Sequence, residues 1–285
     1  MLNMQKKSGA MRLLILAGLL FVFVGCAMMN IGDGLSRAIM NQDDPETVRD
    51  GAPAYMLLTD SLIQDAPNDV GLLMAGAKLY AVYAGVFAES PERAVRLANK
   101  ARGYGERALC RKNAAACDLE KLPFDQYMAA LGKLGKRDVP ALYTYTLTWL
   151  VRIQVGNADW NAVADLPKVE AALERIVALD ATYENGNPQL YLGVINSLRP
   201  PALGGQPEKG QQYFEQAIAL SNGKALAVKV AYARYYARLV YDQELHDRLL
   251  SEVVESNPVA PELTLANVLA QREAVVLLES GTDYF

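Results

Sequence analysis

Three cysteines and one histidine carry most of the distinctive chemistry available to this chain of 285 residues. Cys26 comes first. Lys6, Lys7 and Arg12 precede an apolar run from Leu13 to Val24, closed by the small residue Gly25. A basic start, an apolar stretch within the usual ~7–15 residues and a small residue before the cut form a secretion signal. The following Cys makes it a lipoprotein signal, although Phe23 stands where Leu is usual. The alternative is an uncleaved anchor helix with an incidental Cys, but about 12 apolar residues fall short of the ~20 that span a bilayer. The spacing therefore predicts cleavage after residue 25, acylation of Cys26 and a membrane attachment through fatty chains, each buried methylene adding about 0.8 kcal/mol. Ala27 follows, not the Asp that commonly retains lipoproteins at the inner membrane, so the expected address is the periplasmic face of the outer membrane.

An oxidising compartment gives Cys110 and Cys117 a reason to pair. Seven residues along a continuous helix rise ~10.5 Å, beyond the ~7 Å between Cα atoms that a disulfide allows. The bond thus requires the preceding helix to end near Lys112 and Asn113 and turn back; the alternative is two buried thiols. His246, followed by Asp247 on a charged helix, reads as an exposed or capping residue. No Ser/His/Asp set, paired-Cys metal site or Gly-rich phosphate loop is apparent. No catalytic residue, metal or cofactor is expected, and the chain is not expected to be an enzyme. Losing the first 25 residues removes three basic charges and no acidic one, shifting the formal charge from −4 to −7. Nucleic acid wants the opposite sign.

The 15 tyrosines against 6 phenylalanines suggest aromatic surfaces with one wet edge. Tyr232, Tyr235, Tyr236 and Leu239 share one side of a helix near 224–241, with Arg234, Arg238 and Tyr241 opposite. Leu142, Tyr145, Trp149 and Ile153 make a stripe on 138–155. Core packing accounts for such stripes. The functional alternative is a groove or pore for an organic ligand or a partner surface, for which the candidates are Tyr145, Trp149, Trp160, Tyr191, Arg199, Arg234, Tyr235, Tyr236 and Arg238.

Positioning these side chains falls to helices. Residues 1–25 read as the signal, 26–50 as a flexible tether and 51–285 as one helical domain. The tether's Asp43, Asp44, Glu46 and Asp50 lack EF-hand spacing and read as a solvated acidic linker. From Gly51 onward apolar residues recur at helical spacing, with breaks at Pro, Gly and Asn and almost no strand alternation. Helices are predicted near 51–65, 69–88, 91–111, 124–132, 138–155, 166–179, 187–198, 207–220, 224–241, 243–256 and 263–279. Pro91, Pro207 and Pro261 suit first turns, Asp165 a cap, and Gly223 an inter-helix turn. The 69–88 segment is apolar all round, but Lys78 would cost roughly 2.5–3.5 kcal/mol in a membrane span. Burial among neighbouring helices accounts for it better.

Leu173–Asp180, Phe214–Ser221 and, more loosely, Leu250–Asn257 resemble one another at offsets of 41 and 36 residues. Helix-pair repeats of the tetratricopeptide kind recur at ~34 residues and hide their apolar faces by stacking. The predicted fold class is all-α, a right-handed helical-hairpin (TPR-like) repeat superhelix.

Trp160–Glu170, Ser197–Gly210, Glu244–Leu250 and the terminal Asp283-Tyr284-Phe285 resemble the TRAP transporter TatT component family, a likeness running from about Gly51 to the C-terminus. The resemblance implies a periplasmic lipoprotein with cryptic tetratricopeptide-like repeats. It also implies a homotrimer that associates with the solute-binding protein of a tripartite ATP-independent periplasmic transporter. It maps no catalytic residue. A general envelope scaffold unrelated to transport is the other reading of the same helices.

Overall fold

Asp44 caps a helix of 21 residues. Its carboxylate accepts from the backbone N–H groups of Glu46 and Thr47, and Pro45 occupies a first-turn position whose missing N–H costs nothing. The computed structural model describes Gly34, residues 36–156 and residues 164–285. Cys26 with its signal, and Trp160, lie outside the described residues. Helix α1 spans Pro45–Asp65, α2 Val70–Val82, α3 Pro91–Lys112, α4 Phe124–Gly132, α5 Val139–Val155 and α6 Leu166–Leu179. Then come α7 Asn187–Asn196, α8 Pro207–Leu220, α9 Leu226–Ala231, α10 Gln243–Glu255 and α11 Thr264–Tyr284. The described chain is 79% helix with no strand.

Several expected boundaries move, each for a local reason. Helix α1 starts at Pro45, not Gly51, because the acidic residues Asp44 and Glu46 cap and fill a helical first turn. Asn41 accepts from the Glu262 N–H at 2.6 Å, so the segment before α1 also touches the far end of the chain. Pro261 lies in a turn ahead of α11, where Thr264 exchanges hydrogen bonds with Ala260. Asp165 stands at the start of α6, but its carboxylate accepts from Trp149 Nε1 at 3.3 Å and caps nothing. Helices α2 and α9 continue into π turns, Tyr83–Phe87 and Tyr232–Ala237. Such i→i+5 turns hold an extra residue and rotate everything after them, so a count at 3.6 per turn misplaces the later side chains.

Successive helices pack as neighbours: α1 on α2, α2 on α3, α3 on α5, α6 on α7, α7 on α8 and α10 on α11. Gly105 of α3 has α5 so close that a Cβ there would lie 2.8 Å from Thr148 Oγ1 and 3.3 Å from the Tyr145 Cα. Gly193 of α7 meets the Phe214 ring of α8 in the same way. One core gathers Tyr127, Leu142, Tyr145, Trp149, Leu173 and Ile176, and a second gathers Phe214, Leu226, Leu250, Val253 and Leu277. The three similar segments put matching pairs fully inside: Leu173 and Ile176, Phe214 and Ala217, Leu250 and Val253. Burying each large apolar side chain contributes roughly 1.5–3 kcal/mol.

The apolar helix α2 buries Leu73, Ala77, Tyr80 and Ala81. Lys78 reaches Glu184 at 3.4 Å, across 106 residues of chain.

Candidate functional site

Tyr145 and Trp149 face inward. Packed edge to face with centres 5.4 Å apart, both rings lie against Arg102 of α3, whose guanidinium carbon lies 4.0 Å from the Tyr145 ring centre and 4.4 Å from that of Trp149. Arg102 is only 4% exposed. Its Nη2 donates to Glu120 at 2.8 Å and approaches Glu106 at 3.5 Å, while Arg152 holds the other Glu120 oxygen at 3.2 Å. Burial raises the Glu106 carboxyl above its ordinary range, and the neighbouring Glu120 adds to this. Burial acts on Glu120 the same way, but Arg102, Glu106 and Arg152 outweigh it and keep that carboxyl low. The Tyr145 hydroxyl is pushed up to about 12 by burial. That hydroxyl, with Arg102 Nε and Nη1, has no hydrogen-bond partner among the described residues.

The Arg102 cluster fastens the segment between α3 and α4. Helix α3 stops at Lys112, Asn113 caps it, and the chain turns back so that Cys110 and Cys117 form a disulfide with Cα atoms 4.4 Å apart. Lys168 Nζ donates to the Glu120 carbonyl at 2.7 Å, tying the same segment to α6. A second polar junction joins α1, α2 and α3. Asp60 accepts from the hydroxyls of Tyr80 and Tyr104, each at 2.7 Å, and from Lys100. Partial burial opposes the Asp60 charge, yet those three donors win and hold the carboxyl below its usual range.

The remaining candidates scatter. Tyr191 is partly buried on α7 against the first core, beside the Tyr143 and Tyr183 pair, whose ring centres lie 5.2 Å apart. Arg199 stands exposed in the turn before α8. Arg234 pairs with Glu273 at 2.7 Å, Tyr235 packs on the second core, and Tyr236 donates to Gln211 at 2.7 Å. Arg238 turns inward, donating from Nε to His246 Nε2 at 3.2 Å and from Nη2 to Ser280 and the Leu277 carbonyl. These positions do not line one groove. Tyr145 and Trp149 belong to the core, and Arg238 is drawn into contacts with His246 and α11.

His246 corrects its own expectation. It is fully buried, with Asp247 2.8 Å from Nδ1 and the Phe285 ring edge-on at 5.1 Å. Through Arg238 at Nε2, Asp247 at Nδ1 and Phe285 against its edge, the ring links α10 to the C-terminus. A cleft of about 290 Å³ lies elsewhere, lined by Asn222, Lys224, Leu226, Asn257 and Val259 among others. It contains none of the anticipated residues. Asn267 bonds Lys224 and Pro258 carbonyls and the Leu226 N–H, so the loops bordering the cleft are pinned. Among the described residues no group of three or more His, Cys, Asp and Glu could hold a metal ion.

Sequence spacing had pointed to the stripe of Tyr145 and Trp149 but not to its partner. Arg102 was missed because one arginine among many on α3 carries no periodic signal. Compared with known families, residues 41–285 match the model of the TRAP transporter T-component. No curated protein matches the chain.

Proposed function

The chain belongs to the TRAP transporter T-component family, and on that premise we propose that it recruits the solute-binding protein of such a transporter and assists solute uptake. The match over residues 41–285, which takes in every helix from α1 to α11, carries this reading. A transporter accessory component of this kind is envelope-associated. In our reading Cys26 is acylated and holds the domain at the periplasmic face of the outer membrane. The helices stack as a right-handed TPR-like superhelix and assemble as a homotrimer, and a groove or pore in that scaffold meets the partner or its solute.

The repeated buried pairs on α6, α8 and α10 support stacked helix hairpins, since each pair is covered by its neighbours. The role proposed is binding, not catalysis. The one histidine is locked between Arg238 and Asp247 beneath Phe285 and serves packing.

Chemical cross-linking of envelopes, followed by capture of this protein, tests the reading. Recovery of the transporter's solute-binding protein is expected. Repeated recovery of unrelated envelope proteins without it would favour a general scaffold.

A further inference from the structure

The segment Arg107–Arg137 carries seven basic residues against three acidic ones, in a chain whose formal charge is −4. Folding gathers five of those cations at one corner. Asn113 Nδ2 donates to Asp138 at 3.0 Å, which sets the last turn of α3, with Arg111 and Lys112, beside the loop bearing Lys133, Lys136 and Arg137. All five are exposed. Lys136 pairs with Asp180 at 3.4 Å, and the other four form no ion pair among the described residues. Asp138, the carboxylate between the two loops, is occupied by Asn113 and by the Gly135 N–H at 2.9 Å.

The corner is rigid. The Cys110–Cys117 bond holds one loop, and Arg175 donates to the Gly132 and Leu134 carbonyls of the other, whose Leu134 is buried. Helix α4 runs directly into Lys133 and shows Phe124 and Met128, one turn apart, at 46% and 44% exposure. A cluster of cations at the end of a helix that also shows a half-seated Phe and Met has the composition of a protein interface, with apolar anchors and a charged rim.

We propose that this corner is the docking surface for the solute-binding protein, engaging an acidic face that carries an apolar patch. The inference rests on the function proposed above and names the surface that performs it. A lipid bilayer fits less well. Interfacial anchors push bulky apolar groups into the acyl layer, whereas Phe124 and Met128 are half covered and the exposed neighbours of the cations include Ala114, Ala115 and Gly132. A fixed positive corner on a net-acidic chain instead orients a diffusing acidic partner and raises its on-rate, most strongly at low salt.

The test measures association of the intact protein with the purified solute-binding protein from about 50 to about 500 mM salt, across the range where screening removes exposed charge effects. Variants are Arg111→Gln with Lys133→Glu and Arg137→Glu, a second pair Phe124→Ala with Met128→Ala, and Arg248→Glu as a distant control. Circular dichroism melting confirms that each is folded. The charge variant should lose at least about tenfold in on-rate and most of its salt dependence. The apolar pair should raise the off-rate, and the control should bind normally. Wild-type binding with an unchanged charge variant would overturn the inference and leave the proposed function standing. No binding by the wild type would overturn both. Loss of phosphatidylglycerol vesicle binding in the charge variant, with protein association intact, would reassign the corner to lipid.

Discussion

A guanidinium as buried as Arg102 has given up its water, and its neighbours must replace what it lost. Two carboxylates at Nη2 and two ring faces do so in part, while Nε and Nη1 keep no hydrogen-bond partner among the described residues. Arg102→Ala should cost about 2–5 kcal/mol, because it opens a void against Tyr145 and Trp149 and leaves Glu120 with Arg152 alone. Urea unfolding measures this. Arg102→Lys should recover only part, since an ammonium cannot stack flat on the rings while reaching both carboxylates. Asp60 provides a pH-dependent case. Its carboxyl is held low in the folded state, so its contribution is present above the ordinary carboxylate pKa of ~4 and disappears as pH falls through the folded value. The stability gap between wild type and Asp60→Asn should therefore be widest near neutral pH and close in acid; a gap that stays constant would contradict the assignment. Cys110 and Cys117 were readable as a possible pair because chain geometry limits what seven residues can span. Arg102 and His246 were not readable, because burial of a lone polar residue is decided by partners distant in sequence.

At the scale of elements, two devices position the loops. The disulfide closes a short loop, and the chain-entropy relation gives it roughly 2–3 kcal/mol. Replacing both cysteines with Ser should lower stability by about that amount and raise amide hydrogen exchange most strongly between Asn113 and Leu122. Gly105 permits the close approach of α3 and α5. Gly105→Val should cost about 1–3 kcal/mol by overpacking, read as a lower melting temperature. Helix positions were legible from apolar spacing and punctuation, as the match between the expected 124–132 and the observed Phe124–Gly132 illustrates. The π turns were not legible. Their side chains look like ordinary helix formers, and i→i+5 hydrogen bonds such as those from the Arg238 N–H to the Ala233 carbonyl and from the Asp242 N–H to the Ala237 carbonyl reveal the shift. That shift is why Arg234 and Arg238, four residues apart, meet different surroundings.

Across the whole molecule, the two ends of the described chain meet. Arg272 of α11 holds both carboxylate oxygens of Glu46 on α1, at 2.5 and 3.0 Å, and Asn41 reaches Glu262. The pair is half exposed and screened by solvent, so Arg272→Ala should leave the global melting temperature nearly unchanged. The same substitution should increase hydrogen exchange in the first turn of α1, where Glu46 would lose its partner. Neither contact is foreseeable from sequence, because 226 residues separate Glu46 from Arg272. Family membership was legible, since strings such as Ser197–Gly210 are longer and more unusual than a short motif. The central claim is that this envelope-associated family member binds a solute-binding protein, and sedimentation velocity tests it most directly. With each protein at about 50 µM, well above the Kd expected of a specific complex, the account predicts one faster boundary containing both. Two boundaries that sediment independently at that concentration would contradict it.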